Sequence, residues 1–326
     1  MNKKTRTDVI FACVILALVL VILYSGLQIL ESTVFSHQSE MVLQTKPKTI
    51  SRNGVKYFPR QDITVMLLMG IGWEGEAEEK EMNHGGAVDM AALMIFDPKT
   101  EQCNVLNLNR DMMVDMPILN EYGKEDGVFY GQLAYSHTYG TGMEDSCENT
   151  KRTVSNLLNG LTIDYYFAIS MDAIGILNDA VGGVTVTITD DFTMVDPTMT
   201  KGEMTLNGEQ ARTFVQSRKA VGDGLNLSRM ERQKEYMHNF FSAFTAKMNE
   251  SDTFVIHTYE QIADYTVTDC TPAILNRLAE DYGDYGLGEI LSVDGENKMG
   301  AEYIEFYPDA EALDALMLEL FYAEKK

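Results

Sequence analysis

Arg229, Arg232 and Gln233 fall in the first two turns of an amphipathic segment, Ser228 to Glu250, and Arg218 lies a short loop before it. Residues four apart share a helix face, so Arg229 and Gln233 project together. A helix start offers unpaired N–H groups and a positive dipole end, and guanidinium forks match phosphate oxygens two at a time, so this pattern suits an anion. The competing reading is a salt-bridged helix end, for which the like-charged Arg229 and Arg232 are an odd choice. Ser228 and Glu231 have the spacing of a capping box, which sets the expected start at Ser228, and Met237, Phe241, Phe244 and Met248 form an apolar stripe behind it.

A second group stands at Asn109-Arg110-Asp111, where an apolar run through Leu108 ends. The carboxyl edge of an α/β sheet is where such folds place ligands. Asp89 precedes another apolar run, and carboxylates beside a bound pyrophosphate are the usual means of holding Mg²⁺. Other motifs carry less. Gly70-Ile71-Gly72-Trp73-Glu74-Gly75 has the G-x-G-x-x-G form, but Glu76 to Met82 is nearly all charged and lacks the apolar face of a helix that packs on a sheet. The histidines form no metal-ligand pair and imply no Ser-His-Asp arrangement.

The surroundings make a basic site informative. Of 326 residues, 49 are acidic and 26 basic, a net charge of −23, and so negative a surface argues against nucleic-acid binding. Cys13, Cys103, Cys147 and Cys270 lie at no C-x-x-C spacing, and buried free thiols are the expected state of the last three.

The elements that must position these residues begin after an anchor. Residues 9–30 carry no charge, and 22 helical residues reach about 33 Å, enough to cross a membrane. Lys3, Lys4 and Arg6 precede this span, which sets residues 1–8 in the cytoplasm and the remainder outside, in a single-pass plasma-membrane protein. A cleaved signal peptide is the rival; its apolar region would be shorter and would end in a small-x-small site, and none is present. Beyond the span, 23 basic and 48 acidic residues leave −25. Residues 31–59 read as a polar stalk, and 60–326 as one domain.

In that domain, Ile63 to Met69, Met90 to Phe96, Asn104 to Leu108, Tyr165 to Ile169 and Val184 to Ile188 have strand character. Glu289 to Val293 and Tyr303 to Tyr307 are further candidates. Helical spacing marks Asp145 to Asn159, Met171 to Val181, Asn207 to Ser217, Ser228 to Glu250, Thr271 to Tyr282 and Asp309 to Phe321. The alternation predicts an α/β fold in three layers, α/β/α, about a mixed central sheet. Leu157, Leu158, Ile174, Leu177, Phe241 and Phe244 are expected either to line an apolar pocket or to form ordinary core.

In their order along the chain, these blocks resemble the LytR-CpsA-Psr family of cell-envelope proteins. The resemblance runs from about Ile63 to Lys247 and includes Asp97-Pro98-Lys99-Thr100, Asn109-Arg110-Asp111, Asp179-Ala180-Val181-Gly182-Gly183-Val184, Leu206-Asn207-Gly208-Glu209-Gln210-Ala211, Ser217-Arg218-Lys219 and Arg229-Met230-Glu231-Arg232-Gln233. It implies a pocket for a polyprenyl chain with an arginine-lined mouth for its pyrophosphate. It also implies a magnesium-dependent transferase that moves a glycopolymer, such as teichoic acid or capsular polysaccharide, from a polyprenyl pyrophosphate carrier to peptidoglycan at the membrane. By position, Arg110, Arg218, Arg229 and Gln233 match residues that contact the pyrophosphate, with Arg232 beside them, and Asp89 matches a metal ligand. Arg110 would act on the leaving group, while Asp111 orients or deprotonates the acceptor hydroxyl.

The chain departs from the family pattern at four places. Gly72 stands for an aspartate, Ala87-Val88 for arginine and serine ahead of Asp89, Gln216 for the first arginine of an Arg-x-Arg pair, and Asn226 for a common aspartate. The lost groups favour the alternative of a non-catalytic binder of polyprenyl pyrophosphate that regulates envelope assembly.

Overall fold

The structure, a computed structural model, describes residues 47, 49–52, 54–72, 86–120, 122–140, 143–301 and 303–324. The expected membrane span, the stalk as far as residue 46 and most of the acidic loop after Gly72 lie outside them. No helix among the described residues is long and apolar enough to cross a membrane.

The chain enters through β1 (Ile50–Arg52) and β2 (Val55–Pro59), a hairpin within the segment expected to be stalk. The core then forms around β3 (Thr64–Ile71), β4 (Val88–Asp97) and β5 (Gln102–Leu108), which pair antiparallel in sequence order. After β6 (Met113–Leu119), β7 (Glu125–Gln132) and α1 (Met143–Leu157), strand β8 (Tyr165–Ser170) returns parallel to β3. Helix α2 (Met171–Ala180), the β9 (Val184–Ile188) and β10 (Gly202–Leu206) hairpin, α3 (Gly208–Gln216), α4 (Asn226–Glu250) and α5 (Phe254–Ile262) follow. Then come β11 (Thr266–Thr268), α6 (Pro272–Tyr282), β12 (Gly286–Ser292), the β13 (Gly295–Met299) and β14 (Ile304–Pro308) hairpin, α7 (Ala310–Phe321) and β15 (Tyr322–Glu324).

The central sheet has six strands in the order β11-β8-β3-β4-β5-β12, parallel at β3–β8 and β5–β12 and antiparallel elsewhere. Both faces are covered, so its strands are apolar runs with no polar side. The side-chain period of two still sorts them. Val65, Leu67, Met69 and Ile71 join Leu93, Ile95 and Leu106 in a solid core with Val154 of α1, Leu158 just after it, and Met317 and Phe321 of α7. The alternate residues of β3 face α2, α4, α5 and α6 instead. Layers of helix, mixed sheet and helix result, as the sequence pattern predicts.

Local chemistry explains most helix ends. Asn207 accepts from Gln210 N at 2.9 Å while the Gln210 side chain accepts from Asn207 N at 3.1 Å, a complete capping box on α3. Asn159 and Gly160, at φ 55° and 79°, stop the chain after α1. The expected capping box at Ser228 is not formed. Helix α4 begins two residues earlier, because the Asn226 side chain is drawn inward to Asn109 and Arg229, and the Ser228 hydroxyl donates to Asp223 at 2.6 Å.

Two further differences bear on function. Strand β15 pairs with β2, with Tyr322 opposite Pro59 and Glu324 opposite Tyr57, so residues 50–59 belong to a three-stranded sheet. The β6–β7 hairpin has no counterpart in the sequence reading. Residues 125–130 of β7 are exposed on both sides of the strand and therefore lack the apolar alternation that marks one.

Candidate functional site

A cavity of about 400 Å³ lies between the sheet and the helices α2, α4, α5 and α6. Its floor is Met66, Leu68 and Gly70 of β3 with Met90, Met94 and Phe96 of β4. Ile174, Leu177, Phe241 and Phe244 are in its walls, as one of the two sequence readings has it. Leu157 and Leu158 are not: Leu158 is buried in the core on the opposite face of the sheet and Leu157 packs against it. The apolar stripe of a helix states that it packs, not on which side.

The charged and amide side chains of this lining are Asp89, Gln216, Arg229 and Gln233. The Gln233 amide donates to Val215 O at 3.0 Å, which joins α4 to the end of α3. Arg229 is only 5% exposed. Its NH2 donates to Asp89 O at 3.0 Å and Asn226 Oδ1 at 2.6 Å, and its NH1 is 3.9 Å from the Asp89 carboxylate. Asn226 Nδ2 in turn donates at 2.7 Å to Asn109 Oδ1, which also accepts Asp111 N at 3.0 Å. An asparagine at 226 can both donate and accept in this chain, which a carboxylate could not.

Arg110 connects Asp89 to Asp111. Its NH1 pairs with the Asp89 carboxylate, and its Nε lies 3.5 Å from Asp111 Oδ1. Arg218 NH1 lies 3.7 Å from Asp111 Oδ2. Five of the residues singled out by sequence therefore converge: Asp89, Arg110, Asp111, Arg218 and Arg229. Arg232 does not join them. Three residues along from Arg229 it turns to the neighbouring helix face, where it pairs with Asp190 at 2.8 Å and donates to Phe214 O and Ser217 O.

The electrostatics are those of a site short of anions. Burial pulls Arg229 down to about 10, and the nearby Arg110 and Arg218 add to the fall. Arg110 is lowered in the same way, first by burial. Asp111 is raised, burial outweighing the guanidinium groups of Arg110, Arg218 and Arg229. Buried Nε atoms of Arg110 and Arg229 make no hydrogen bond. Buried donors are nearly always satisfied, and two orphans on adjacent cations are a place for ligand oxygens.

A metal at this site would find Asp89 among the described residues. The described residues contain no group of three or more His, Cys, Asp or Glu side chains able to hold an ion. A Cβ added at Gly72 would approach the Asp89 Oδ2 to 2.7 Å, so an aspartate side chain there would sit directly against it. One carboxylate fits a Mg²⁺ ion carried largely by phosphate oxygens, which is how this ion is usually bound, and does not fit an ion held by protein alone.

Other chemistry is absent from the described residues' thiols. Cys103, Cys147 and Cys270 are free and buried, as the sequence predicts, and burial pushes Cys103 up to about 12 and Cys270 to about 11. His137 is held in the interior between Gly86 O at 3.1 Å and Cys147 Sγ at 3.7 Å.

An α/β domain with an apolar cavity that ends at a buried arginine has the chemistry to accept an amphiphile with an anionic head. The LytR_cpsA_psr family model matches residues 25–321, and the chain belongs to that family. It is 26% identical to an Enterococcus faecalis protein named polyisoprenyl-teichoic acid–peptidoglycan teichoic acid transferase TagU, over 86% of this chain and 85% of the relative. It is 27% identical to a Bacillus licheniformis protein of the same name, over 60% of this chain; the chain spans only 56% of that relative. Among solved structures it resembles protein gbs0355 of Streptococcus agalactiae, with a TM-score of 0.67 at 22% identity over 79% of this chain and 86% of that one. It also resembles TagT bound to LI-WTA, with a TM-score of 0.61 at 20% identity over 80% and 90%. These structural likenesses bear on the fold.

Proposed function

We propose that this protein is a wall-glycopolymer transferase that takes its polymer from a polyprenyl pyrophosphate carrier and passes it to peptidoglycan. The observation that carries the reading is the continuity of the apolar cavity with the buried arginines. A polyprenyl tail is a long apolar chain ending in a diphosphate, and each half of that molecule has its complement. The names of the relatives supply the polymer class.

The residues divide the work. Arg229 and Arg110 bind the diphosphate through donors now unsatisfied, with Arg218 and Gln233 at the edge. The acceptor hydroxyl oxygen bonds to the polymer-bearing phosphorus, the bond from that phosphorus to the bridging oxygen breaks, and polyprenyl phosphate leaves with the electron pair. Charge gathers on that leaving oxygen, where guanidinium groups in a water-poor site stabilise it most. Asp111, with its raised carboxyl, takes the hydroxyl proton. Asp89 would hold Mg²⁺ together with the diphosphate, and the ion would supply further neutralisation of the phosphate oxygens. Residues 9–30 would anchor the chain in the membrane, with the domain outside the cell beside its lipid-linked donor.

Gly72 beside Asp89 favours a second reading, a binder of the carrier that does not turn it over. Transfer from a synthetic lipid-linked donor to peptidoglycan, measured across a Mg²⁺ titration, separates the two. Turnover supports the transferase; lipid binding with no turnover at any Mg²⁺ level supports the binder. Arg110→Ala and Arg229→Ala should each weaken polyprenyl pyrophosphate binding about 100-fold, by calorimetry, since each removes charged hydrogen bonds from a buried anion. Unchanged affinity in both would remove the site. Sequence reasoning expects both variants to fold normally because both would stand at an open mouth. Arg229 is in fact buried on Asp89 and Asn226, so Arg229→Ala should also lower thermal stability.

A further inference from the structure

Outside the cavity lining, four aromatic rings lie on segments next to Arg110 and Asp111 in the fold. Tyr135 ends the short helical segment after β7, Tyr139 lies in the turn that follows, Phe129 belongs to β7 itself, and Tyr303 immediately precedes β14. Phe129 and Tyr139 are in contact, with ring centroids 5.1 Å apart. A Cβ at Gly131 would overlap the Phe129 ring, so the ring lies over that glycine, two residues along the same face of β7. Tyr135 is half-buried, and its hydroxyl is pushed up first by burial and then by Tyr303, with Tyr139 and Asp111 adding to the rise and Arg110 opposing it. The backbone that carries them is joined to the site: Ala134 N, beside Tyr135, donates to Arg110 O at 2.9 Å.

Tyr135 and Tyr139 are half-buried against the core, while Phe129 and Tyr303 stand out from it. Tyr303 is 59% exposed and Phe129 38%. Large apolar groups gathered at a surface mark an interaction site far more often than single ones do. They are also fixed to the site. Phe306 N donates to Asp111 O at 2.8 Å, and Gln132 Nε2 donates to Ile304 O at 2.7 Å while lying 3.5 Å from Asp111 Oδ1.

We infer that Phe129, Tyr135, Tyr139 and Tyr303 form the platform on which the acceptor glycan strand stacks a sugar ring, presenting its hydroxyl to Asp111. The inference rests on the transferase reading and names where its acceptor lies. Two observations choose this occupant over the donor's own polymer. First, in-line displacement at phosphorus brings the nucleophile in opposite the leaving group. The polyprenyl phosphate leaves toward the cavity, whose lining includes Asp89 and Arg229 and none of these four rings. Second, the surrounding surface is acidic. Asp115 is paired across the hairpin with Tyr130, Glu125 and Asp126 are exposed at the start of β7 next to Lys124, and Arg152 and Lys298 are paired with Glu125 and Glu296. Such a surface repels a polyanionic teichoic acid and leaves an uncharged N-acetylhexosamine strand unaffected. The apolar C–H face of a pyranose lies flat on an aromatic ring, which is what exposed Tyr and Phe offer.

The test compares three measurements on the full chain and on Tyr303→Ala, Phe129→Ala, their double variant and Tyr303→Phe. Co-sedimentation with peptidoglycan stripped of other polymers should weaken about tenfold in each alanine variant, more in the double, and stay near normal in Tyr303→Phe, which keeps the ring. Calorimetry with polyprenyl pyrophosphate should be unchanged in all of them. Melting temperatures should change little, because Phe129 and Tyr303 are exposed. Equal sedimentation of wild type and double variant would overturn the platform while the transferase reading stands. Competition for the platform by soluble teichoic acid, but not by an uncharged N-acetylhexosamine oligomer, would overturn the choice of acceptor. Failure of the wild type to bind the lipid would instead sink the transferase reading itself.

Discussion

The two faces of strand β3 are made from the same kind of residue and have opposite fates. Val65, Leu67, Met69 and Ile71 are buried in solid core, while Met66, Leu68 and Gly70 floor a cavity. The difference lies in what covers each face. Helices α1 and α7 interdigitate with the first, but the second is roofed by α2, α4, α5 and α6, which stand off from it. Methionines line the open side heavily, with Met66, Met90, Met94, Met171, Met237 and Met248. An unbranched, polarisable side chain adapts to a guest of irregular shape, so composition carries a trace of the cavity that periodicity does not.

The sharpest way to break this comparison is to truncate one residue from each face of β4. Leu93 is fully buried in the core, and Leu93→Ala should cost about 3 kcal/mol in urea unfolding. Met94 lines the cavity, and Met94→Ala should cost about 1 kcal/mol or less, because its removal enlarges a space already present. Equal losses would mean that the cavity is packed in solution. Filling the space tests the same point from the other side. Leu68→Trp should fold and lose at least about tenfold in affinity for a polyprenyl pyrophosphate, read from the ligand's shift of the melting temperature. A normal shift would place the lipid elsewhere.

The polar end of the cavity should respond to pH. The Asp111 carboxyl is raised by burial, so on acidification it protonates before an ordinary carboxylate near 3.9 does. The acid limb of the transfer rate should therefore lie above about pH 4, and Asp111→Asn should abolish that limb along with most of the rate. A limb at ordinary carboxylate pH would exclude Asp111 as the base. The sign for stability is the reverse of the paired-acid case. A raised native value makes the ionised form a liability, so this group's contribution grows more favourable as pH falls through its native pKa.

The smallest effect is expected at Gly72. Gly72→Asp alone sets a second carboxylate against Asp89, which must shift because a Cβ there approaches its Oδ2 to 2.7 Å. Mg²⁺ dependence, titrated in the transfer assay, should change little. It should rise with Ala87→Arg and Gln216→Arg added, since such groups act as a unit.

Much of this was legible in the chain. The apolar runs that became β3, β4, β5, β8 and β9 declare themselves, and Arg110, Asp111, Arg218 and Arg229 stood out as cations and their carboxylate in an acidic protein. What escaped lacked a local signal. Strand β13 is exposed at every position, and β7 at six of eight. Helix α5 is short, and its apolar residues, divided by His257 and Thr258, gave no recognised face. Arg232 was grouped with Arg229 by proximity, yet at three residues' separation it reaches the carbonyls that end α3. The four rings beside Asp111 are scattered over some 170 positions, and only the β6–β7 and β13–β14 hairpins bring them together.

The pairing of β2 with β15 has a mechanical consequence. For a chain tethered through the residues before Ile50, any pull on the tether reaches the domain at the β1–β2 hairpin and is passed directly to the strand that closes the fold at 322–324. The backbone bond from Arg60 N to Phe321 O, at 2.8 Å, continues that clasp toward β3. Such a load would fall first on this small outlying sheet, ahead of the six-stranded sheet whose β3 and β4 floor the cavity.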